Sequence, residues 1–383
     1  MKLTVDRTRS LQTAGVVAAT LIAVAFLVWG ARMGRAVESG ADTLWPPSAG
    51  SIVVWSDGAG SLTATVTSAA GVATDSSLGA GSAARLVAGG SRPVVLVTGA
   101  EGGHRLLRYA PVTRTWATVA ASLDPADMTT AVVARDLVYL PVARGRHAAV
   151  TAVSLNTGRT MARLRLPTLV PDPRALLTLS GPAAGTRAAS RGHVTALLTA
   201  GGRVLAVSAT PFAAAVTDLA THASVSLGGY TQILAATVGG DGIVYVLAGS
   251  NDPAFTLRFL RVDPRTMRLV SVWDTGIAAT DEPVSALPTR FGAVFYAPGV
   301  PHSLDAYSGT NVWLVDGSGA RENSAVSSNI GARMGPGRGD SVLIYGSPAG
   351  AVVSRLRTDD GSLDRHLTRL GAPAADTVVL AAD

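Results

Sequence analysis

From Ser51 onward, short apolar runs alternate with stretches of glycine, proline, aspartate and serine. The runs show almost no helical periodicity; examples lie at 51–55, 93–97, 137–140, 243–247, 293–296 and 342–345. Runs of this length bounded by turn-forming residues are typical of β-strands. The pattern therefore predicts an all-β domain over residues 48–383.

Several runs precede a recurring phrase: an alternating strand, a tight turn and a second strand. Copies lie at 62–74, 106–119, 150–164, 259–273, 303–315 and 354–367, with a looser copy at 194–207. One residue marks the turn of each copy: Gly71, Arg114, Gly158, Gly202, Met267, Gly309 and Gly361, at intervals of 43, 44, 44, 65, 42 and 52 residues. Periods in the forties are typical of propeller blades, so we predict a seven-bladed β-propeller. Six or eight blades, a β-sandwich or a pair of β-domains are the alternatives.

The phase of the repeat predicts how the propeller closes. If 51–55 is the second strand of the first blade and each marked turn joins a third strand to a fourth, one strand is left over at 376–381. That strand would complete the first blade and hide an edge that is otherwise open to pairing. The 65-residue interval between Gly202 and Met267 predicts an inserted loop within 208–238.

Residues 304–313 read Leu-Asp-Ala-Tyr-Ser-Gly-Thr-Asn-Val-Trp. This phrase resembles the blade motif Leu-Asp-Ala-x-Thr-Gly-x-x-x-Trp of quinoprotein-like repeat proteins, and 109–116 resembles the end of a kelch blade. Quinoprotein dehydrogenases hold their cofactor with calcium on the propeller axis, and many stack it on a vicinal Cys pair. This chain has no Cys and no further match to that site. The resemblance therefore implies blades, and we expect no cofactor.

An uncharged run at 13–31 precedes the β-domain. As a helix rising about 1.5 Å per residue, it would cover roughly 28 Å, close to the hydrocarbon thickness of a bilayer. We predict a transmembrane signal-anchor helix that includes Thr13, Leu21, Phe26, Trp29 and Ala31. A cleaved signal peptide and a buried core helix are the alternatives.

The charges that flank this run predict its orientation. Lys2, Arg7 and Arg9 precede it, whereas Arg32 and Arg35 are followed closely by acidic residues. This bias places residues 1–12 in the cytoplasm and the β-domain outside it. Residues 32–47 are predicted to be a juxtamembrane linker.

The formal net charge is +6, but its distribution argues against nucleic-acid binding. Five of the 32 basic residues lie in the first 35 positions, and the chain after Arg35 carries 27 basic and 25 acidic residues. We therefore expect no basic stripe on the fold and no nucleic-acid partner. The absence of Cys also excludes a disulfide scaffold, a thiolate zinc site and a cysteine nucleophile.

No pattern for catalysis or metal binding stands out. The six histidines lack metal-ligand spacing, no Gly-x-Ser-x-Gly elbow occurs, and there are only four glutamates. The Gly-rich stretch 97–103 leads into a strand rather than a helix, which predicts a hairpin turn rather than a phosphate loop. The Arg-Gly-Asp-Ser sequence at 338–341 is interpreted as a loop. We therefore predict no catalytic, cofactor-binding or metal-binding residues.

These observations predict a membrane-anchored extracytoplasmic propeller that binds proteins. Loops on a rigid β-scaffold commonly carry binding residues, which suggests a scaffold for a cell-envelope or membrane-associated assembly. The alternative is a glycan-binding, small-ligand-binding or hydrolytic propeller that uses its axial channel.

Overall fold

The computed structural model of the chain describes residues between Ala49 and Ala381. The described residues are 49–56, 60–68, 73–87, 93–99, 103–110, 113–123, 130–142, 148–170, 192–250, 256–278, 284–289, 291–297, 311–322, 333–336, 341–345, 352–357, 363–369 and 379–381. Contacts divide the chain into Met1–Thr43, which lies outside these ranges, and Leu44–Asp383, which holds all the described strands. The predicted membrane segment at 13–31 also lies outside them. Within the described ranges, no helix is long and apolar enough to cross a membrane.

The described residues form 28 β-strands. In chain order they are β1 (Ala49–Ser56), β2 (Ser61–Ser68), β3 (Ala73–Ala80), β4 (Ala83–Val87), β5 (Val94–Thr98), β6 (His104–Ala110), β7 (Thr115–Leu123), β8 (Val132–Ala134), β9 (Leu137–Pro141), β10 (Ala149–Ser154), β11 (Thr160–Arg165), β12 (His193–Ala200), β13 (Arg203–Thr210), β14 (Ala213–Asp218), β15 (Ser224–Ser226), β16 (Tyr230–Val238), β17 (Val244–Ser250), β18 (Thr256–Asp263), β19 (Arg268–Ala278), β20 (Ser285–Pro288), β21 (Gly292–Ala297), β22 (Asn311–Asp316), β23 (Ala320–Glu322), β24 (Arg333–Pro336), β25 (Ser341–Tyr345), β26 (Val352–Arg357), β27 (Leu363–Arg369) and β28 (Val379–Ala381).

Among the described residues, these strands pair into seven four-stranded antiparallel sheets. Sheet 1 has the order β28-β1-β2-β3, and sheets 2 to 7 each contain four consecutive strands, from β4–β7 to β24–β27. In sheet 1, Ile52, Val53 and Val54 pair with Ala381, Leu380 and Val379. The last strand of the chain therefore completes the first sheet.

The first strands lie next to one another in six of the seven pairs of neighbouring sheets, and a buried apolar cluster joins the remaining pair, sheets 2 and 3. Contacts join β28 to β4, β8 to β12, β12 to β16, β16 to β20, β20 to β24, and β24 back to β28. Sheets that meet along their first strands and return to their starting point are arranged around a common axis. The all-β prediction is confirmed, and the architecture is of the β-propeller type.

The apolar core lies between neighbouring sheets rather than at one centre. Separate clusters of buried side chains fill the seams between sheets 1 and 2, 2 and 3, 3 and 4, 4 and 5, and 5 and 6. A middle strand therefore buries both faces: every residue of Val244–Ser250 is buried, whereas Thr160–Arg165 on the outside alternates between exposed and half-buried. This explains the continuous apolar runs in the sequence, because strands covered on both faces need no polar alternation.

Candidate functional site

Each sheet has two ends with different kinds of connection. Because neighbouring strands are antiparallel, the first-to-second and third-to-fourth connections lie at one end, which we call the turn end. The second-to-third connections and the links between sheets lie at the opposite end. Connections on a rigid β-scaffold are common positions for binding residues, so both ends are candidate binding surfaces.

The turns after the third strands of sheets 3 to 6 share one hydrogen-bonding arrangement. The last residue of each strand accepts hydrogen bonds from backbone N–H groups further along: Ser154 from Asn156 and Thr157 (both 3.2 Å), Asp218 from Ala220 (2.8 Å) and Thr221 (3.3 Å), Asp263 from Arg265 (2.8 Å), and Asp316 from Ser318 (2.7 Å). Such bonds satisfy N–H groups that the strand ladder leaves unpaired. Ser154 and the three aspartates therefore stabilise the turns in which they lie.

The hydrogen bonds also shift the acidity of two of these aspartates. The backbone N–H of Arg265, helped by the Thr266 hydroxyl, lowers the pKa of Asp263. Burial acts to raise the pKa of Asp316, but hydrogen bonds from Ser318 and the charge of Arg321, 3.5 Å away, outweigh it and lower the pKa. Both carboxylates are therefore held in the charged form that accepts these bonds.

Three of the predicted turn residues occupy the same position in these turns. Arg114, Gly158 and Met267 each lie four residues after the end of a third strand, with φ of 54°, 68° and 51°. Gly71 and Gly361 fall between a third and a fourth strand, and Gly309 falls between β21 and β22, a second and a third strand; all three lie outside the described residues.

Gly202 does not join a third strand to a fourth. It lies in the turn between β12 and β13, the first and second strands of sheet 4, and His222 (φ 59°) occupies the equivalent position of the third-to-fourth turn. The inserted loop predicted within 208–238 is therefore wrong, because ordinary strands occupy that range. The extra length is the link 166–192 between β11 and β12.

Arginine side chains join neighbouring sheets through hydrogen bonds. Arg105 of sheet 2 donates to the carbonyl oxygens of Leu78 (3.2 Å) and Ala80 (2.6 Å), Arg108 of sheet 2 to Asn156 of sheet 3 (3.1 Å), and Arg203 of sheet 4 to the carbonyl oxygen of Pro264 (3.3 Å). Arg203 also lies 3.6 Å from the fully buried Asp218. These side chains contribute to packing between sheets, which the sequence does not indicate.

Arg261 lies between two aromatic rings at the seam between sheets 5 and 6. Its guanidinium carbon is 5.1 Å from the ring centroid of Trp273 and 5.7 Å from that of Tyr245. The Tyr245 hydroxyl donates a 2.7 Å hydrogen bond to Asp241, and burial, together with this bond and the Asp241 charge, raises the tyrosine pKa far above its usual value. Arg261 Nε and Ser271 Oγ, which lie opposite each other in register, are buried without a hydrogen-bond partner.

The outer strand of sheet 5 exposes apolar side chains. β19 has 11 residues, whereas the outer strands of the flanking sheets, β15 and β23, have three each. Because these short strands leave β19 uncovered, Leu269, Val270 and Val272 are 36%, 53% and 37% exposed. Leu269 pairs with Val262 and Ser271 with Arg261, so Val270 forms an irregularity in the pairing. We call Leu269, Val270 and Val272 the β19 apolar strip.

A small cleft opens beside sheet 6. It holds about 180 Å³ and is lined by Thr289, Phe291, Ala293, Leu314, Val315, Asp316 and Arg321. Pockets that bind small-molecule ligands usually hold roughly 300–1,000 Å³. The cleft therefore matches a single inserted side chain better than a substrate.

The histidines on described backbone are dispersed over the fold. His104 lies on β6, His193 on β12, His222 after β14 and His366 on β27. Within the described ranges, no group of three or more His, Asp or Glu side chains could hold a metal ion.

Several solved structures resemble this chain in fold at low sequence identity. No protein-family model and no curated protein sequence matches the chain. Among solved structures, a candidate 6-phosphogluconolactonase of Bacteroides uniformis is 12% identical, with a TM-score of 0.56 over 87% of this chain and 99% of that chain. The periplasmic gluconolactonase PpgL of Pseudomonas aeruginosa is 12% identical, with a TM-score of 0.53 over 87% and 98%. The Dos1 propeller is 12% identical, with a TM-score of 0.45 over 85% and 86%. At these identities the likeness to the two structures with TM-scores above 0.5 shows the fold alone.

Proposed function

We propose that the chain is a seven-bladed β-propeller, anchored outside the cytoplasm by residues 13–31, that binds proteins of a cell-envelope or membrane-associated assembly. Each four-stranded sheet would be one blade, and β28 would close the ring through β1. The single observation that carries the binding role is the β19 apolar strip.

Three exposed apolar residues within four positions of one outer strand are unusual for a surface that only faces water. Scattered exposed apolar side chains are ordinary, whereas contiguous patches commonly mark interaction sites. The strip also lies on the strand of Trp273, whose ring stacks on Arg261, and Trp and Arg are enriched among residues that dominate binding energy. The irregular pairing at Val270 opposes strand addition at this edge, so we expect side chains to make the contact.

The test is site-specific photocrosslinking in cells with the full-length anchored chain. A photoreactive residue replaces Val270 in one variant and the exposed Thr221 on sheet 4 in the control. We expect one stoichiometric protein adduct at position 270 that is absent at 221 and is lost with Leu269→Asp. A second control replaces 13–31 with an unrelated anchor, which should preserve the adduct if the propeller alone provides specificity.

Two outcomes would contradict the proposal. Equal labelling at 270 and 221, or none at either, would remove the protein-binding role. Hydrolysis of a sugar lactone by the purified chain would instead favour the enzymatic alternative, which takes its substrate class from the names of two structural neighbours.

A further inference from the structure

The arginines of the chain are concentrated in one part of the propeller. Residues 81–170 contain 11 arginines and four acidic residues, whereas residues 171–383 contain 16 arginines and 17 acidic residues. The near balance of charge after Arg35 therefore conceals a strong local excess.

The structure places this excess on two neighbouring sheets. The described residues of sheets 2 and 3 include eight arginines and a single acidic residue, Asp136. In sheets 4 and 5, five arginines accompany four aspartates over the described positions. One side of the propeller is thus basic and the next is nearly neutral.

Five of these arginines are exposed, at the turn ends of sheets 2 and 3 and along the outer strand of sheet 3. Arg114, Arg135 and Arg159 lie in connections at the turn end, and Arg163 and Arg165 lie on the outer strand β11. The turns are held together because Arg108 donates to Asn156 (3.1 Å) and the Leu155 N–H donates to the Asp136 carbonyl oxygen (2.8 Å). We call these five arginines, with Met161, the basic corner.

Apolar side chains project from the same outer strand and its continuation. Met161 is 63% exposed and Val170 is 83% exposed, the two largest values among the exposed large apolar side chains of the described residues. Arginines that alternate with an exposed, flexible apolar side chain are typical of surfaces that lie against lipid headgroups.

We infer that the basic corner binds the anionic headgroup surface of a phospholipid bilayer and orients the propeller against its own membrane. This inference rests on the proposed anchoring outside the cytoplasm. The five arginines spread over two sheets rather than converging on a pocket, which fits an extended plane of phosphates. An acidic β-strand of a partner protein that adds to β11 is a poorer fit. Ala162 pairs with Ala152 and Thr160 with Val153, so Met161 is left as an irregularity in the pairing. Such an irregularity opposes strand addition at β11.

The absence of Cys makes a direct test practicable. The full-length chain carrying Met161→Cys is labelled with an environment-sensitive fluorophore and reconstituted into nanodiscs of phosphatidylcholine, with or without phosphatidylglycerol. Quenchers attached to lipid headgroups report contact between the label and the membrane. Val270→Cys, at a position of similar exposure on sheet 5, is the matched control.

We expect strong quenching at position 161 only with phosphatidylglycerol, and its loss at high salt, because exposed charges are screened. One basic residue contributes roughly 1 kcal/mol to binding near an anionic membrane. We therefore expect the ratio of membrane-bound to unbound basic corner to fall about five-fold in each of three single variants, Arg135→Gln, Arg159→Gln and Arg165→Gln. Position 270 should not respond to lipid charge.

The outcomes separate this inference from the proposed anchoring. Failure of the chain to enter nanodiscs would contradict the anchor, whereas insertion without quenching at 161 would overturn the basic corner alone. Equal quenching at 161 and 270 would indicate non-specific adsorption and also overturn it. A response at 161 to soluble poly-glutamate but not to phosphatidylglycerol would replace the bilayer with an acidic protein.

Discussion

A Cβ atom on Gly158 would lie 2.1 Å from the carbonyl oxygen of Val119. Gly158 belongs to the turn after the third strand of sheet 3, and Val119 lies on β7, the outer strand of sheet 2. The two backbones therefore meet with no space for a side chain. Gly158 also has φ of 68°, a conformation that L-residues rarely adopt. This glycine thus serves both its own turn and the packing between two sheets.

We expect Gly158→Ala to lower the free energy of unfolding by about 2–4 kcal/mol, because the new Cβ combines left-handed strain with a backbone clash. Gly202→Ala is the matched control: Gly202 has φ of 75°, but nothing lies within 4 Å of its Cβ position. The control should cost only about 1 kcal/mol. Denaturant unfolding of the full chain in detergent measures both, and equal losses would contradict the close approach.

The sequence predicted the fold better than the positions of its repeats. Middle strands buried on both faces leave apolar runs that are visible without a structure, as at 243–247. The fourth repeat was assigned to the wrong turn because the Gly-Gly sequence at Gly202, in a first-to-second turn, resembles the third-to-fourth turns. His222, the true equivalent, was missed because only its positive φ marks it. The basic corner was missed because charge was counted over the whole chain rather than sheet by sheet.

The buried carboxylate of Asp218 should be among the most important side chains of the turns. It has no exposed surface, accepts two backbone hydrogen bonds and faces Arg203. We expect Asp218→Ala to cost about 2–3 kcal/mol, since two N–H groups lose their partner, and Asp218→Asn to restore part of this loss. Asp263→Ala, in the equivalent but more exposed position, should cost only about 1 kcal/mol. A similar loss for both alanine variants in thermal unfolding would contradict this ranking.

Two arginines should respond to the same substitution to different degrees. Arg203→Met should cost about 1–2 kcal/mol, because it leaves Asp218 buried without its cation; the value is modest because Arg203 is 47% exposed. Arg261→Met should change the free energy of unfolding by less than about 1 kcal/mol, since the thioether can still pack between Tyr245 and Trp273 and the substitution removes a buried Nε that lacks a hydrogen-bond partner, which offsets the loss of the hydrogen bond to Tyr245. A large loss for Arg261→Met would show that the cation itself stabilises the seam.

The raised pKa of Tyr245 predicts a specific loss of stability at alkaline pH. In the unfolded chain the phenol ionises near about pH 10, whereas burial and Asp241 keep it protonated in the fold. The unfolded state therefore releases its proton first, and the stabilisation that is complete below about pH 10 declines as the pH rises toward the folded-state value. Tyr245→Phe should flatten this decline in denaturant unfolding measured across alkaline pH. Asp241→Asn should flatten the decline in part, since removing the carboxylate charge lowers the folded-state pKa of Tyr245.

Tyr139→Phe is the control. Burial raises the pKa of Tyr139 but the charge of Arg135 opposes the shift, so this variant should flatten the decline less. An effect equal to that of Tyr245→Phe would contradict the role of Asp241.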